Sequence, residues 1–235
     1  MNYILKTSIT ALSAAILLGC GAAQSTAPEQ NNIATATSSE AQNKTQIQTV
    51  SSRQTEKAIL AGGCFWCMES DYDKLPGVIN VVSGFSGDDL RNPTYRNHAQ
   101  HVEVVEVTYD PARVSYDEIL DYYWLHIDPT DDGGQFCDRG HAYIPVIFAN
   151  PNQIAIANAS KAEIERTKPF ADPIVVPVLP AKEFWPAEEY HQDFYQKNPA
   201  HYNRYRKGCR RDAVINSLWG SQKKVKANTS YGSGN

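Results

Sequence analysis

The chain has 235 residues, 42% of them hydrophobic, and a formal net charge of -4 at pH 7. That length suits one domain of ordinary size or two small ones, with enough apolar content for a sizeable core. The acidic balance, a pI near 5.9 and the absence of a long basic run argue against nucleic acid or an anionic membrane surface as a partner.

At the N-terminus, Lys6 precedes an apolar run from Ile9 to Leu18, and Gly19-Cys20 closes it. This pattern resembles a bacterial lipoprotein signal, with a positive region, an apolar core and a lipobox cysteine. The run is too short to span a bilayer comfortably. A plain secretory signal cut nearby is the alternative. The lipoprotein reading makes residues 1–19 a signal peptide and Cys20 the lipid-bearing residue. Gly21, not Asp, follows the cysteine, which favours the outer membrane of a bacterial envelope, facing the periplasm. Residues 20–56 are rich in Ser, Thr, Ala, Gln and Asn. They cannot bury enough apolar surface to offset ordering entropy, so a disordered tether is expected. Membrane contact is then through the lipid anchor alone.

Ala58-Ile59-Leu60-Ala61 reads as a strand, and Cys67 to Leu75 reads as an amphipathic helix. Cys64 sits at their junction, where the helix dipole and unpaired N–H groups favour a thiolate. Phe65 and Trp66 wall its sulfur on the apolar side. A nucleophilic cysteine acting on a small apolar group beside a polar centre needs such surroundings. Val78 to Phe85 and His101 to Tyr109 alternate as strands do. Ser115-Tyr-Asp-Glu118 opens like a capping box, with a helix from Ile119 to His126. Ile144 to Phe148 is a further strand, and Asn152 to Arg166 a helix. Ile174 to Leu179 reads as a strand interrupted by Pro177, and Pro186 to Tyr195 as a helix. Strands and helices alternate around one core, which predicts a single α/β or α+β domain over residues 57–220. Residues 221–235 form a polar tail, expected to be disordered.

With Cys20 lipidated, Cys64, Cys67, Cys137 and Cys209 remain for the folded part. The periplasm permits disulfides, and four cysteines allow three complete pairings, among which sequence does not choose. For the Cys-x-x-Cys pair, a zinc site wants a second ligand pair, and none stands at ligand spacing. A haem attachment wants His where Met68 stands. A thioredoxin-like site fits the helix start, but here the aromatics lie between the cysteines rather than before them.

Four further clusters carry polar chemistry: Asn92-Pro-Thr-Tyr95, His101-Val-Glu103, Gln135 to Tyr143, and Ala187-Glu-Glu-Tyr-His-Gln192. Singly, each has a plain explanation. Tyrosines pack with the hydroxyl wet, Glu103 can face solvent on an edge strand, and Glu188 with His191 can be a surface pair. Together with Cys64-Phe65-Trp66 they read as one site.

From about Lys57 to Gly220 the chain resembles the peptide methionine sulfoxide reductase A family. The matching motifs are Gly-Cys64-Phe-Trp, Leu75-Pro-Gly-Val, Asn92-Pro-Thr-Tyr95, His101-Val-Glu103, Asp128-Pro-Thr, Asp138-x-Gly-x-x-Tyr143 and Ala-Glu-x-Tyr190-His-Gln. The resemblance implies a compact two-layer α/β (α+β) domain with a mixed sheet, related to the βαββαβ plan. It implies no metal and no organic cofactor, and an external dithiol reductant such as a thioredoxin-like protein. The implied activity is reduction of methionine S-sulfoxide in oxidised proteins and peptides, and of the free amino acid, which amounts to protein repair. The implied roles are Cys64 as nucleophile, Phe65 and Trp66 as the methyl pocket, Glu103 as proton donor, Tyr95 and Tyr143 as hydrogen-bond donors to the sulfoxide oxygen, and Asp138 as an orienting group. A donor carboxyl must stay protonated near neutral pH, so Glu103 should be desolvated. The product on the enzyme is a Cys64 sulfenic acid, which a resolving thiol converts to a disulfide.

The chain departs from the family where Cys67 replaces a common Gly, where Ile144-Pro145 follows Tyr143, and where Asn198-Pro199 leads to Tyr202-Asn203 rather than to a cysteine. Cys67 is therefore the favoured resolving thiol, with Cys209 next and Cys137 third. A general thiol–disulfide oxidoreductase and a non-catalytic surface lipoprotein are the competing readings. The full set of Tyr, Glu and Asp residues argues against the first, and intact Cys64 and Glu103 against the second.

Overall fold

The computed structural model describes residues 54–220. The expected signal peptide, Cys20, most of the tether and the tail lie outside the described residues.

Six strands form a mixed sheet in the order β7-β6-β1-β3-β2-β8. β1 (Glu56–Ala61) lies antiparallel between β3 (Val102–Tyr109) and β6 (Val146–Ala149). β2 (Val78–Ser86) pairs antiparallel with β3 and with the short β8 (Trp185–Pro186). β7 (Val178–Pro180) is parallel to β6, which makes the sheet mixed. A separate hairpin joins β4 (Gly134–Gln135) and β5 (Asp138–Arg139). The helices are α1 (Phe65–Tyr72), α2 (Tyr116–Trp124), α3 (Ile154–Thr167), α4 (Phe194–Lys197), α5 (Pro199–Gly208) and α6 (Arg211–Trp219). The order β1-α1-β2-β3-α2-…-β6 fits the expected βαββαβ plan.

Strand period decides which face each side chain takes. On β3, Val105, Val107 and Tyr109 enter the main core with Leu60, Phe65, Met68 and Leu120. Val102 and Val104 turn the other way, against Ala61, Val146 and Phe148. Glu103 keeps the parity of Val105 and Val107, so it faces the side on which α1 packs. The Ser115–Glu118 capping box forms as expected and starts α2.

Three expected elements differ. α1 begins at Phe65, two residues early, because the Phe65 amide finds an acceptor in Glu103 across the fold (3.0 Å). Only Val178–Pro180 of the strand expected over 174–179 is regular. Pro177 has no N–H for a ladder, although its carbonyl still accepts from the Ile147 amide (3.0 Å). The helix expected over 186–195 is replaced by β8, a 3₁₀ turn at Glu189–His191 and the start of α4. Its polar side chains are engaged elsewhere: the Gln192 amide accepts from the Ser83 amide N–H and donates to the Ser83 and Ala187 carbonyls, each at 2.9 Å. These tertiary bonds outweigh local helix propensity. α5 and α6 were not anticipated.

Candidate active site

α1 carries the first part of the site. Cys64 is its N-cap residue, with φ -53° and ψ 122°, and its carbonyl accepts from the Cys67 amide (3.0 Å). Gly62 and Gly63 lead into this turn. Gly63 has φ +82°, and a Cβ there would lie 2.6 Å from Gln135 Cβ, so both backbone and space require glycine. Cys64 is 6% exposed and Cys67 2% exposed.

A small pocket of about 70 Å³ opens above Cys64, lined by Phe65, Trp66, Tyr95, Glu103, Asp138, Tyr143 and Tyr205. All seven residues expected at the catalytic centre and methyl pocket therefore meet here. Tyr205 was not foreseen. A wider outward groove of about 450 Å³ on α5 and α6 contains none of these residues.

Glu103 is 2% exposed. Burial raises its carboxyl pKa to about 8, against the lowering effect of the Phe65 amide bond. The acid is thus protonated at neutral pH, as the sequence reading required. The Tyr95 and Tyr143 hydroxyls are hydrogen-bonded to each other, and burial raises both pKa values. They remain proton donors throughout the physiological range. The Tyr95 backbone is fixed by Glu188, whose two carboxylate oxygens accept from its amide at 3.2 Å.

The aromatic wall is built from distant parts of the chain. Trp66 stacks on Phe194 with ring centroids 3.7 Å apart, and its indole N–H donates to His191 Nδ1 (3.1 Å). His191 also packs against Phe65 and Tyr95. The Glu188 and His191 pair, plausible as a mere surface pair by sequence, thus holds Tyr95 and Trp66 in place. His101 does related work: its Nδ1 accepts from the Asp88 amide (3.3 Å) and its Nε2 meets the Leu90 carbonyl (2.8 Å), fixing the loop after β2.

The two free thiols are shifted in opposite directions. Burial pushes the Cys64 thiol well up, opposing the expected effect of the helix N-terminus. Cys67 is lowered by its hydrogen bond from Cys64 and then by the Arg211 and Arg206 cations. Both cations approach Asp71, one helical turn beyond Cys67: Arg206 Nη1 at 2.9 Å and Arg211 Nε at 3.8 Å. Arg211 is buried and donates to the Gly62 and His126 carbonyls at 3.0 and 2.8 Å. Two arginines thus face one buried carboxylate behind Cys67. These groups lie more than 130 residues along the chain from α1, and no local pattern announced them.

Cys137 and Cys209 form a disulfide, and Cys64 and Cys67 are free. The Cys137, Asp138 and Cys209 donors also lie within 4.8 Å of one another, but both sulfurs are committed to that bond.

The peptide methionine sulfoxide reductase family model matches residues 56–223. The chain belongs to the peptide methionine sulfoxide reductase family. The relatives place this reductase in the A type. It is 48% identical to peptide methionine sulfoxide reductase MsrA 2 of Staphylococcus aureus (strain MW2) over 172 residues, 71% of this chain and 97% of that protein. It is 48% identical to MsrA 2 of Caulobacter vibrioides over 71% of this chain and 87% of that protein. It is 45% identical to MsrA/MsrB of Vibrio cholerae over 74% of this chain, spanning 47% of that longer protein. Among solved structures, reduced Mxr1 from Saccharomyces cerevisiae has a TM-score of 0.58 at 26% identity, covering 62% of this chain and 86% of that one. Methionine sulfoxide reductase A of Corynebacterium diphtheriae has a TM-score of 0.55 at 34% identity, covering 62% and 76%. Thiol-dependent reduction of methionine sulfoxide is the chemistry of this reductase family, and the pocket holds a thiol, a protonated acid and an apolar wall in one place.

Proposed function

We propose that this chain reduces the S epimer of methionine sulfoxide in oxidised proteins, with Cys64 as nucleophile and Cys67 as resolving thiol. The observation that carries this reading is the buried, protonated Glu103 beside Cys64 at the start of α1. The sulfoxide methyl group lies against Phe65 and Trp66. Tyr95 and Tyr143 donate to its oxygen while Glu103 supplies a proton, since oxide is a poor leaving group. The Cys64 proton is released to solvent as the sulfur attacks. Cys64 sulfur bonds to the sulfoxide sulfur, and methionine leaves as the oxygen ends up on Cys64 as sulfenic acid. Cys67 then attacks that sulfur, and water departs carrying the Cys67 proton. Atoms and charge balance: Cys64 gives its proton to solvent, Glu103 takes one back from solvent, and the departing water carries the protons of Glu103 and Cys67. An external dithiol, such as a thioredoxin-like protein, reopens the Cys64–Cys67 disulfide by exchange.

Cys67 is preferred because Cys137 and Cys209 are bonded to each other. Asp138 and Tyr205 border Cys64 on the remaining side and orient it. The lipobox-like segment ending at Cys20 supports a site of action in the bacterial envelope, with the enzyme tethered by lipid and facing the periplasm.

The test is single turnover with each sulfoxide epimer, followed by mass mapping of the cysteines. One methionine per chain from the S epimer and a Cys64–Cys67 link are expected. Equal turnover of the R epimer would refute the stereochemical reading, and a Cys64–Cys209 link would refute the resolving assignment.

A further inference from the structure

The Cys137–Cys209 disulfide joins two elements that each hold one wall of the pocket. Cys137 lies in the two-residue loop between β4 and β5, directly before Asp138. Cys209 caps the C-terminus of α5, and its amide donates to the Tyr205 carbonyl one turn back (2.9 Å). Across the joint, the Tyr205 hydroxyl donates to Asp138 Oδ2 (2.5 Å) and lies within hydrogen-bond reach of Cys64. The covalent bond and the hydrogen bond thus close a small ring, Cys137-Asp138···Tyr205-x-x-x-Cys209, with Cys64 beside it.

The hairpin loop holds one residue in a strained conformation. Phe136 has φ +55°, a left-handed conformation costly for a bulky residue. Such a conformation persists only where neighbours over-determine it. Here those neighbours are the disulfide on the next residue and the Arg211 guanidinium over the Phe136 ring, 4.7 Å from its centroid. The sequence separation of the bridged cysteines is 72 residues, so the bond also limits how far the C-terminal helices can move from the hairpin.

We propose that the Cys137–Cys209 disulfide is a positioning brace for the reduction step: it stays oxidised through the cycle and holds Tyr205 and Asp138 against Cys64, while Cys64 and Cys67 carry the electrons. This rests on Cys67 as the resolving thiol, as proposed above. The brace residues touch no substrate; they act through Tyr205. Cys137 is exposed, so a strong dithiol can open the bond from solvent and weaken the site.

The experiment is a double-mutant cycle on the full chain, with pre-steady-state methionine formation as the readout. The C137S/C209S variant should form sulfenic acid about 10- to 100-fold more slowly, the range that small misplacements cost. Tyr205→Phe should slow the parent but add little to the variant, because the brace acts through that hydroxyl. Loss of a purely stabilising disulfide would instead lower the melting temperature while leaving the Tyr205 effect additive. Parent chain with all four cysteines reduced should show the slowed rate, and recover when Cys137–Cys209 is reformed; this arm uses no substitution that could impair folding. A rate within twofold of the parent, or an additive Tyr205 effect, overturns the brace while leaving Cys67 as resolver. Two methionines per fully reduced parent chain, falling to one in C137S/C209S, overturns it in favour of a second electron-carrying pair. A Cys64–Cys209 link in the parent overturns both readings.

Discussion

The amide of Phe65 donates to Oε2 of Glu103 at 3.0 Å, joining the first residue of α1 to the buried acid on β3. One bond thereby satisfies a helix-terminal N–H that has no intrahelical acceptor and holds the buried acid beside Cys64. Phe65 also contributes its ring to the apolar wall, so one residue joins the buried acid to that wall through its backbone and its side chain.

Replacing Glu103 by Gln should slow sulfenic-acid formation by about 10²–10⁴, the range for lost general acid catalysis. In the parent, the reduction rate should fall as pH rises through about 8, where Glu103 loses its proton. That limb should be absent from the Gln variant. A rate within a few-fold of the parent would leave Glu103 only a structural part.

Glu103 also makes stability depend on pH, with a definite sign. Its folded pKa of about 8 lies above the ordinary 4.5, so the folded chain keeps a proton that the unfolded chain gives up. Stability is full below about pH 4.5, falls by about 1.4 kcal/mol per pH unit between the two values, and levels off above about 8. Glu103→Gln should flatten this slope in denaturant titrations from pH 5 to 8. An unchanged slope would assign the effect to other groups, of which Glu69, raised by burial to about 7, is the first to examine.

Cys64→Ser should abolish methionine formation with the fold retained, because a hydroxyl cannot accept the sulfoxide oxygen as sulfenic acid does. Cys67→Ser should still release one methionine per chain but accumulate sulfenic acid, detectable by a dimedone-type label. Rapid loss of that label without external thiol would show that another thiol resolves it.

Arg206→Gln should raise the Cys67 thiol pKa and slow disulfide closure without changing the first methionine burst. The cation lowers Cys67, with the Cys64 hydrogen bond the larger influence, so the shift should be partial. Ultraviolet thiolate titration of Cys64→Ser with and without the arginine change measures it. An unmoved titration would remove Arg206 from the resolving step.

Cys20→Ser should release the protein from envelope membranes into the soluble periplasmic fraction, provided cleavage still occurs. Several acyl chains anchor firmly where one alone binds marginally. A parent protein already found soluble would reject the lipid anchor.

The sequence by itself pointed to Cys64, Phe65, Trp66, Tyr95, Glu103 and Tyr143 as one site, and one pocket gathers them, because their motifs together specify what each singly does not. It also determined β1, β2, β3 and α2, where β-branched alternation and the Ser115–Glu118 box act locally. The tertiary structure alone decided where residues 186–195 go, since Gln192 and His191 exchange helix formation for bonds to Ser83 and Trp66. It alone decided the protonation of Glu103 and the unequal pair at Cys64 and Cys67, because desolvation depends on what covers a group and not on its neighbours in sequence. The choice among three disulfide pairings was of the same kind. Cys137 and Cys209 meet because the end of α5 folds back onto the β4–β5 hairpin, a proximity that a sequence separation of 72 conceals. Tyr205 reaches the nucleophile by that same fold, which is why no motif around it pointed to the site.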